Sequence, residues 1–145
     1  MLALKGVVIK GFQRGRTINC KTANILVPDS LGLEDGVYSG WARVGHGDAH
    51  LAVISYCMNP TFNGTKRSLE VHVLYEYPDD FYGETLYLYA HGLLRTPIKF
   101  GSIEELKAQI MKDIRMAKDQ LGSVPDIKQI ALEKWVKLDQ DDSNT

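Results

Sequence analysis

Cysteine is scarce in this chain: two residues of 145, Cys20 and Cys57. That excludes a small secreted fold stapled by disulfides, and both read as free thiols in a reducing compartment. An excess of one charge is also missing. Lys and Arg number 17 against 18 Asp and Glu, a formal net charge of -1, so no global basic field draws in nucleic acid. No apolar run approaches the length needed to cross a bilayer. The start, Met1-Leu2-Ala3-Leu4-Lys5-Gly6, lacks a charged region followed by a long apolar stretch, so no signal peptide is read there. Histidines give no zinc pattern. His46 and His50 lie across a turn, and His72 and His91 have no nearby cysteine. The expectation is one cytoplasmic domain over residues 1–138, monomeric, with no nucleic-acid or membrane partner. A polar tail over residues 139–145 is expected to be disordered.

The first two-thirds of the chain read as β. Gly6-Val7-Val8-Ile9, Ala23-Asn24-Ile25-Leu26-Val27, Gly36 to Val44, His50 to Ser55, Ser68 to Tyr75 and Thr85 to Ala90 are short branched or aromatic runs. Gly45-His46-Gly47-Asp48 joins the third and fourth as a hairpin turn. Short strands separated by Gly, Pro, Asn and Asp predict a barrel or sandwich rather than βαβ units.

The last third changes period. Ile103, Leu106, Ile110, Ile114, Ala117 and Leu121 mark an amphipathic helix, with Ser102 and Glu105 as its capping box and Gly122 as its end. Ser123 and Pro125 open a second helix, with Ile127, Ile130, Ala131, Trp135 and Leu138 on one face. The predicted architecture is a small β-barrel covered by a long C-terminal helix.

Four segments could carry chemistry. In Ser68-Leu69-Glu70-Val71-His72-Val73, strand alternation puts Leu69, Val71 and Val73 on one face and Ser68, Glu70 and His72 on the other. A carboxylate so placed could take a proton from a hydroxyl. On the residues alone, a solvated sheet face is the stronger reading. Lys10-Gly11-Phe12-Gln13-Arg14-Gly15-Arg16 offers glycines and arginines to phosphate, though its spacing is not that of a Walker A loop, and an ordinary turn is the stronger reading. Thr22 and Asn24 offer neutral oxygens that could bind magnesium only if nucleotide phosphates brought the negative charge; local backbone hydrogen bonds are the alternative. Asp79-Asp80-Phe81-Tyr82-Gly83 could sandwich a planar heterocycle, although loops with exposed aromatics are common.

Taken in order, these segments resemble the riboflavin kinase family. The resemblance runs from Lys5 to Leu121 through Gly6 to Gly15, Lys21-Thr22-Ala23-Asn24, Gly36 to Ala42, Asn59-Pro60-Thr61-Phe62, Leu69-Glu70-Val71-His72, Asp80-Phe81-Tyr82-Gly83 and Leu94-Arg95. It implies a six-stranded antiparallel Greek-key β-barrel with a helix packed on it. It also implies ATP-dependent phosphorylation of the riboflavin 5'-hydroxyl, giving FMN and ADP. By the same resemblance, Glu70 is the base and Thr22 and Asn24 hold Mg²⁺. Gly11, Gly15, Thr22, Val73, Tyr75 and Tyr82 meet ATP, and Arg95 and Phe100 meet the flavin. With no room in 145 residues for an adenylyltransferase domain, the expected product is FMN rather than FAD.

The chain departs from the family pattern at Asn19, Lys21 and Cys57, and after Arg95, where Thr96-Pro97 stands for Pro-Glu. Lys21 removes a proline that would fix the backbone before Thr22. Two alternatives follow. One is a catalytically weakened relative that binds flavin or nucleotide as a module. The other is a barrel for single-stranded nucleic acid, which the near-zero charge opposes.

Overall fold

The computed structural model describes residues 2–9, 23–26, 31–61, 64–78, 80–122 and 126–143. Its strands are β1 (Leu2–Ile9), β2 (Ala23–Leu26), β3 (Gly36–Val44), β4 (Ala49–Thr61), β5 (Gly64–Val73) and β6 (Thr85–Arg95). Two helices follow among the described residues, α1 (Ile103–Gly122) and α2 (Ile127–Ser143). All strand pairs are antiparallel, and the order β1-β2-β5-β4-β3-β6 closes on itself. β3, β4 and β5 form a meander and β6 returns to lie beside β3, which is the Greek-key order. Closure removes the unpaired edges an open sheet would expose.

Period-two alternation fills the barrel. Val8, Ile25, Tyr38, Ile54, Leu69 and Leu88 point inward and are at most 2% exposed. The β3–β4 turn passes through Gly45 at a φ of 55°, a left-handed conformation that suits glycine. Several strands outrun their sequence signals. β1 starts at Leu2, β4 runs to Thr61, β5 begins at Gly64, and β6 reaches Arg95. Pro60 lies opposite Thr65 next to the end of the β4–β5 hairpin.

The helices cover two outer faces. α1 packs chiefly on β3 and β4, with Ala117 against Val37 and Val53, and the Ser39 hydroxyl donates to Gln120 Oε1. One half of its capping box forms, the Glu105 amide donating to Ser102 Oγ at 3.2 Å, while the Glu105 carboxylate accepts from the amide of Gly101, the residue before the cap, at 2.8 Å. Gly122 ends α1 as its last residue, outside the left-handed region expected of a glycine cap. Ile103 also departs from the predicted apolar stripe, being 54% exposed.

α2 packs on β1 and β6. Ile127, Ala131 and Trp135 are buried as their spacing predicts, while Ile130 is exposed at the margin of that face. Trp135 Nε1 donates to the Leu88 carbonyl at 3.0 Å. The expected start of this helix, at Ser123 and Pro125, lies outside the described residues. Helix α2 runs through Ser143, past Leu138, where the sequence reading ends the folded domain. Asp139 accepts from Tyr87 Oη at 2.7 Å and from Lys5 Nζ at 3.1 Å.

Candidate active site

One line of register circles the outer wall of the barrel. Ile9 on β1 faces Asn24 on β2, and Asn24 faces Glu70 on β5. Glu70 faces Ser55 on β4, Ser55 faces Val37 on β3, and Val37 faces Arg95 on β6. Because Leu69 and Val71 are turned inward and fully buried, Glu70 is turned outward, as alternation predicts, and is half-buried. At about 4.8 Å per strand step, Asn24 and Ser55 flank Glu70 directly, and Arg95 lies roughly 14 Å away along the sheet. Asn24, at 7% exposure, is one of the few buried polar side chains. This stretch of β2 and β5 lies beyond the main footprints of both helices.

Arg95 comes to lie opposite Val37 because β6 is irregular. Tyr38 faces Leu93 while Val37 faces Arg95, so Leu94 is an extra residue; His91 is extra in the same way between Ser39 and Gly40. Such bulges re-aim a side chain without breaking the sheet. The Arg95 guanidinium then meets Asp113 on α1, with Nε and Nη2 each 2.8 Å from a carboxylate oxygen. Its Cζ stands 5.9 Å from the Phe100 ring centroid. The two residues expected to meet the flavin are therefore beside each other.

The expected nucleotide residues diverge. Tyr75 is 51% exposed and stacks on His50, with centroids 4.0 Å apart and planes 12° apart. Tyr77 and Phe81 extend this cluster edge to face. Burial pushes the Tyr77 hydroxyl up, and it has no hydrogen-bond partner among the described residues. Tyr82 is 36% exposed in the following loop. Val73 points into the barrel core and is 7% exposed. Residues 10–22, which carry Gly11, Gly15, Asn19, Lys21 and Thr22, lie outside the described residues, as does Asp79. So does the Cys57 side chain.

His72 shares the outer face of β5 with Glu70, and burial pushes its imidazole below the ordinary 6.5, which favours the neutral ring. Sequence reasoning missed Ser55, His50, Asp113 and Gln109. A signal existed for Asp113: it sits three residues after Ile110 and four before Ala117, a charge in an apolar stripe. The other three carry no signal without the register.

A family model described as Flavokinase: Riboflavin kinase matches residues 1–121. Human riboflavin kinase is 41% identical over 122 residues, covering 81% of this chain and 79% of that protein. A crystal structure of riboflavin kinase from Trypanosoma brucei superposes with a TM-score of 0.71 at 21% identity, covering 93% of this chain and 88% of that one; it supports the fold alone. A structure titled macrolide-efflux protein from Streptococcus pneumoniae also gives a TM-score of 0.71, at 32% identity, covering 81% of this chain and 38% of that one. Among the described residues, no helix is long and apolar enough to cross a membrane.

Proposed function

The chain belongs to the riboflavin kinase family, and we propose that Glu70 is the base through which it transfers the γ-phosphoryl group of ATP to the 5'-hydroxyl of riboflavin. The products are FMN and ADP. As the new P–O bond forms and the bond to ADP breaks, the hydroxyl proton passes to the Glu70 carboxylate. The observation that carries this reading is the register line from Asn24 through Glu70 to Arg95. It puts a carboxylate at one end and a cationic plane at the other, with Val37 between them covered by Ala117 of α1.

The remaining roles are those the family resemblance implies. Arg95 and Phe100 take the flavin ring. Tyr75 and Tyr82 take the nucleotide side, with Val73 in the core at the end of β5. Gly11 and Gly15 hold phosphate through backbone amides. A divalent ion fits this donor set only together with nucleotide. Thr22 and Asn24 bring neutral oxygens only, so phosphate would supply the anionic ones. Asn24, beside Glu70, and Thr22 are the protein oxygens that would hold magnesium, which when bound neutralises charge on the phosphates. What the chain itself does is align the alcohol and the phosphoryl group and accept one proton. A cytoplasmic monomer acting on small molecules is the proposed setting, and the near-neutral charge argues against a nucleic-acid partner.

Incubation with riboflavin, ATP and Mg²⁺ tests the reading: FMN and ADP form in equal amounts. Tight flavin binding with no FMN formed would replace it with a binding module.

A further inference from the structure

The clamp on Arg95 comes from a carboxylate to which phosphoryl transfer assigns no task. Asp113 is 2% exposed on α1, and its two oxygens accept from Nε and Nη2 of Arg95 at 2.8 Å each. Gln109, one turn earlier on α1, donates to Asp113 Oδ1 at 2.9 Å. Arg95 Nη1 donates to the Thr96 carbonyl at 3.3 Å. A guanidinium has five N–H donors. Two go to Asp113 and one to Thr96, which leaves one on each Nη, together with the cationic plane beside Phe100.

A bidentate pair fixes the plane of a guanidinium as well as its position. For holding α1 on the sheet alone, apolar residues would serve as well, because desolvating a carboxylate offsets much of its attraction to arginine. The pair sits where an orienting contact is useful: on the bulged end of β6, at the far end of the register line from Glu70.

We infer that Asp113 is a positioning residue for the flavin: by clamping the inner edge of Arg95 it aims the remaining donors and the cationic plane at the ring, and so makes α1 a working wall of the site. This rests on the reading that Arg95 meets the flavin.

The test is riboflavin affinity, read by fluorescence quenching, for the wild type, Asp113→Asn, Arg95→Lys and the double variant. The KM for ATP and the Tm are measured alongside. Arg95→Lys keeps the charge but cannot be held bidentately. Each single change should weaken riboflavin binding about tenfold, the order seen for coupled neighbours, and the double should be no worse than the weaker single. Both should alter the visible absorption of bound riboflavin in the same way and leave the KM for ATP in place. If Arg95→Lys weakens binding and Asp113→Asn does not, the inference is overturned. It is also overturned if Asp113→Asn lowers Tm and both substrates' affinities together, since that marks a merely structural role. If Arg95→Lys itself leaves riboflavin affinity intact, the underlying reading of Arg95 fails instead. Should Asp113→Asn not fold, Gln109→Leu keeps the carboxylate and removes its third donor. A smaller loss confined to riboflavin supports the inference, and no loss overturns it.

Discussion

Asn24 on β2 and Glu70 on β5 face each other across one strand step on the outer wall of the barrel. The pairing sets a carboxamide beside a carboxylate on adjacent strands. On the proposed reading, the first would offer a neutral oxygen to a cation held by phosphate, and the second a base to an alcohol.

Glu70→Gln keeps the shape and hydrogen-bonding capacity of that position and removes its basicity. Turnover to FMN should fall by about two to four orders of magnitude, with riboflavin affinity nearly unchanged. Steady-state FMN formation beside a riboflavin titration measures both. Near-wild-type turnover would remove Glu70 from the proton step.

Asn24→Ala should act through the metal instead. The magnesium concentration giving half-maximal turnover at fixed ATP should rise, while riboflavin affinity holds. A magnesium titration unaltered by the substitution would assign Asn24 to the sheet alone.

The barrel was legible because β patterning is local. The hairpin of β3 and β4 about Gly45, and the inward Leu69, Val71 and Val73 against the outward Glu70 and His72, follow from period and turn chemistry. The register line was not legible. Alternation says which face Glu70 takes, but not that Ser55 and Asn24 flank it, since pairing depends on hairpin geometry and barrel closure. Nor could alternation place Arg95, because two bulges shift β6 against β3. Helix periodicity found the buried part of α1 but treated Ile103 like Ala117, although only Ala117 reaches the sheet. The roles of Glu70, Thr22 and Asn24 came from family resemblance, not from spacing.

Acid should weaken the fold through His72. Burial holds its imidazole below the ordinary 6.5, so the unfolded chain binds a proton that the folded chain resists. The stabilising contribution is complete above 6.5 and is lost as pH falls through that value toward the folded one. Burial lowers His91 too, and adds to the same slope. Thermal melts from about pH 7 to about pH 5 should show a falling Tm, and His72→Gln should flatten part of that fall. A pH dependence identical in the variant would remove His72 as a source.

Packing at the first β6 bulge gives a stability prediction. Gly40 on β3 has no room for a methyl group: a Cβ there would stand 2.0 Å from the Tyr89 carbonyl oxygen and 3.0 Å from Ile54 Cδ1. The nearer neighbour is backbone in the β3–β6 ladder, so it can yield only by moving the strand. Gly40→Ala should cost about 2–3 kcal/mol, a Tm drop of roughly 4–12 °C. Gly122, the last residue of α1, is the contrast: a Cβ added there would meet nothing within 4 Å. Gly122→Ala should be neutral or stabilise by up to about 1 kcal/mol, because alanine restricts the unfolded chain without meeting a neighbour. Paired denaturant melts separate the two. If Gly40→Ala proves as mild as Gly122→Ala, the close approach of β3 and β6 at the bulge does not constrain that position.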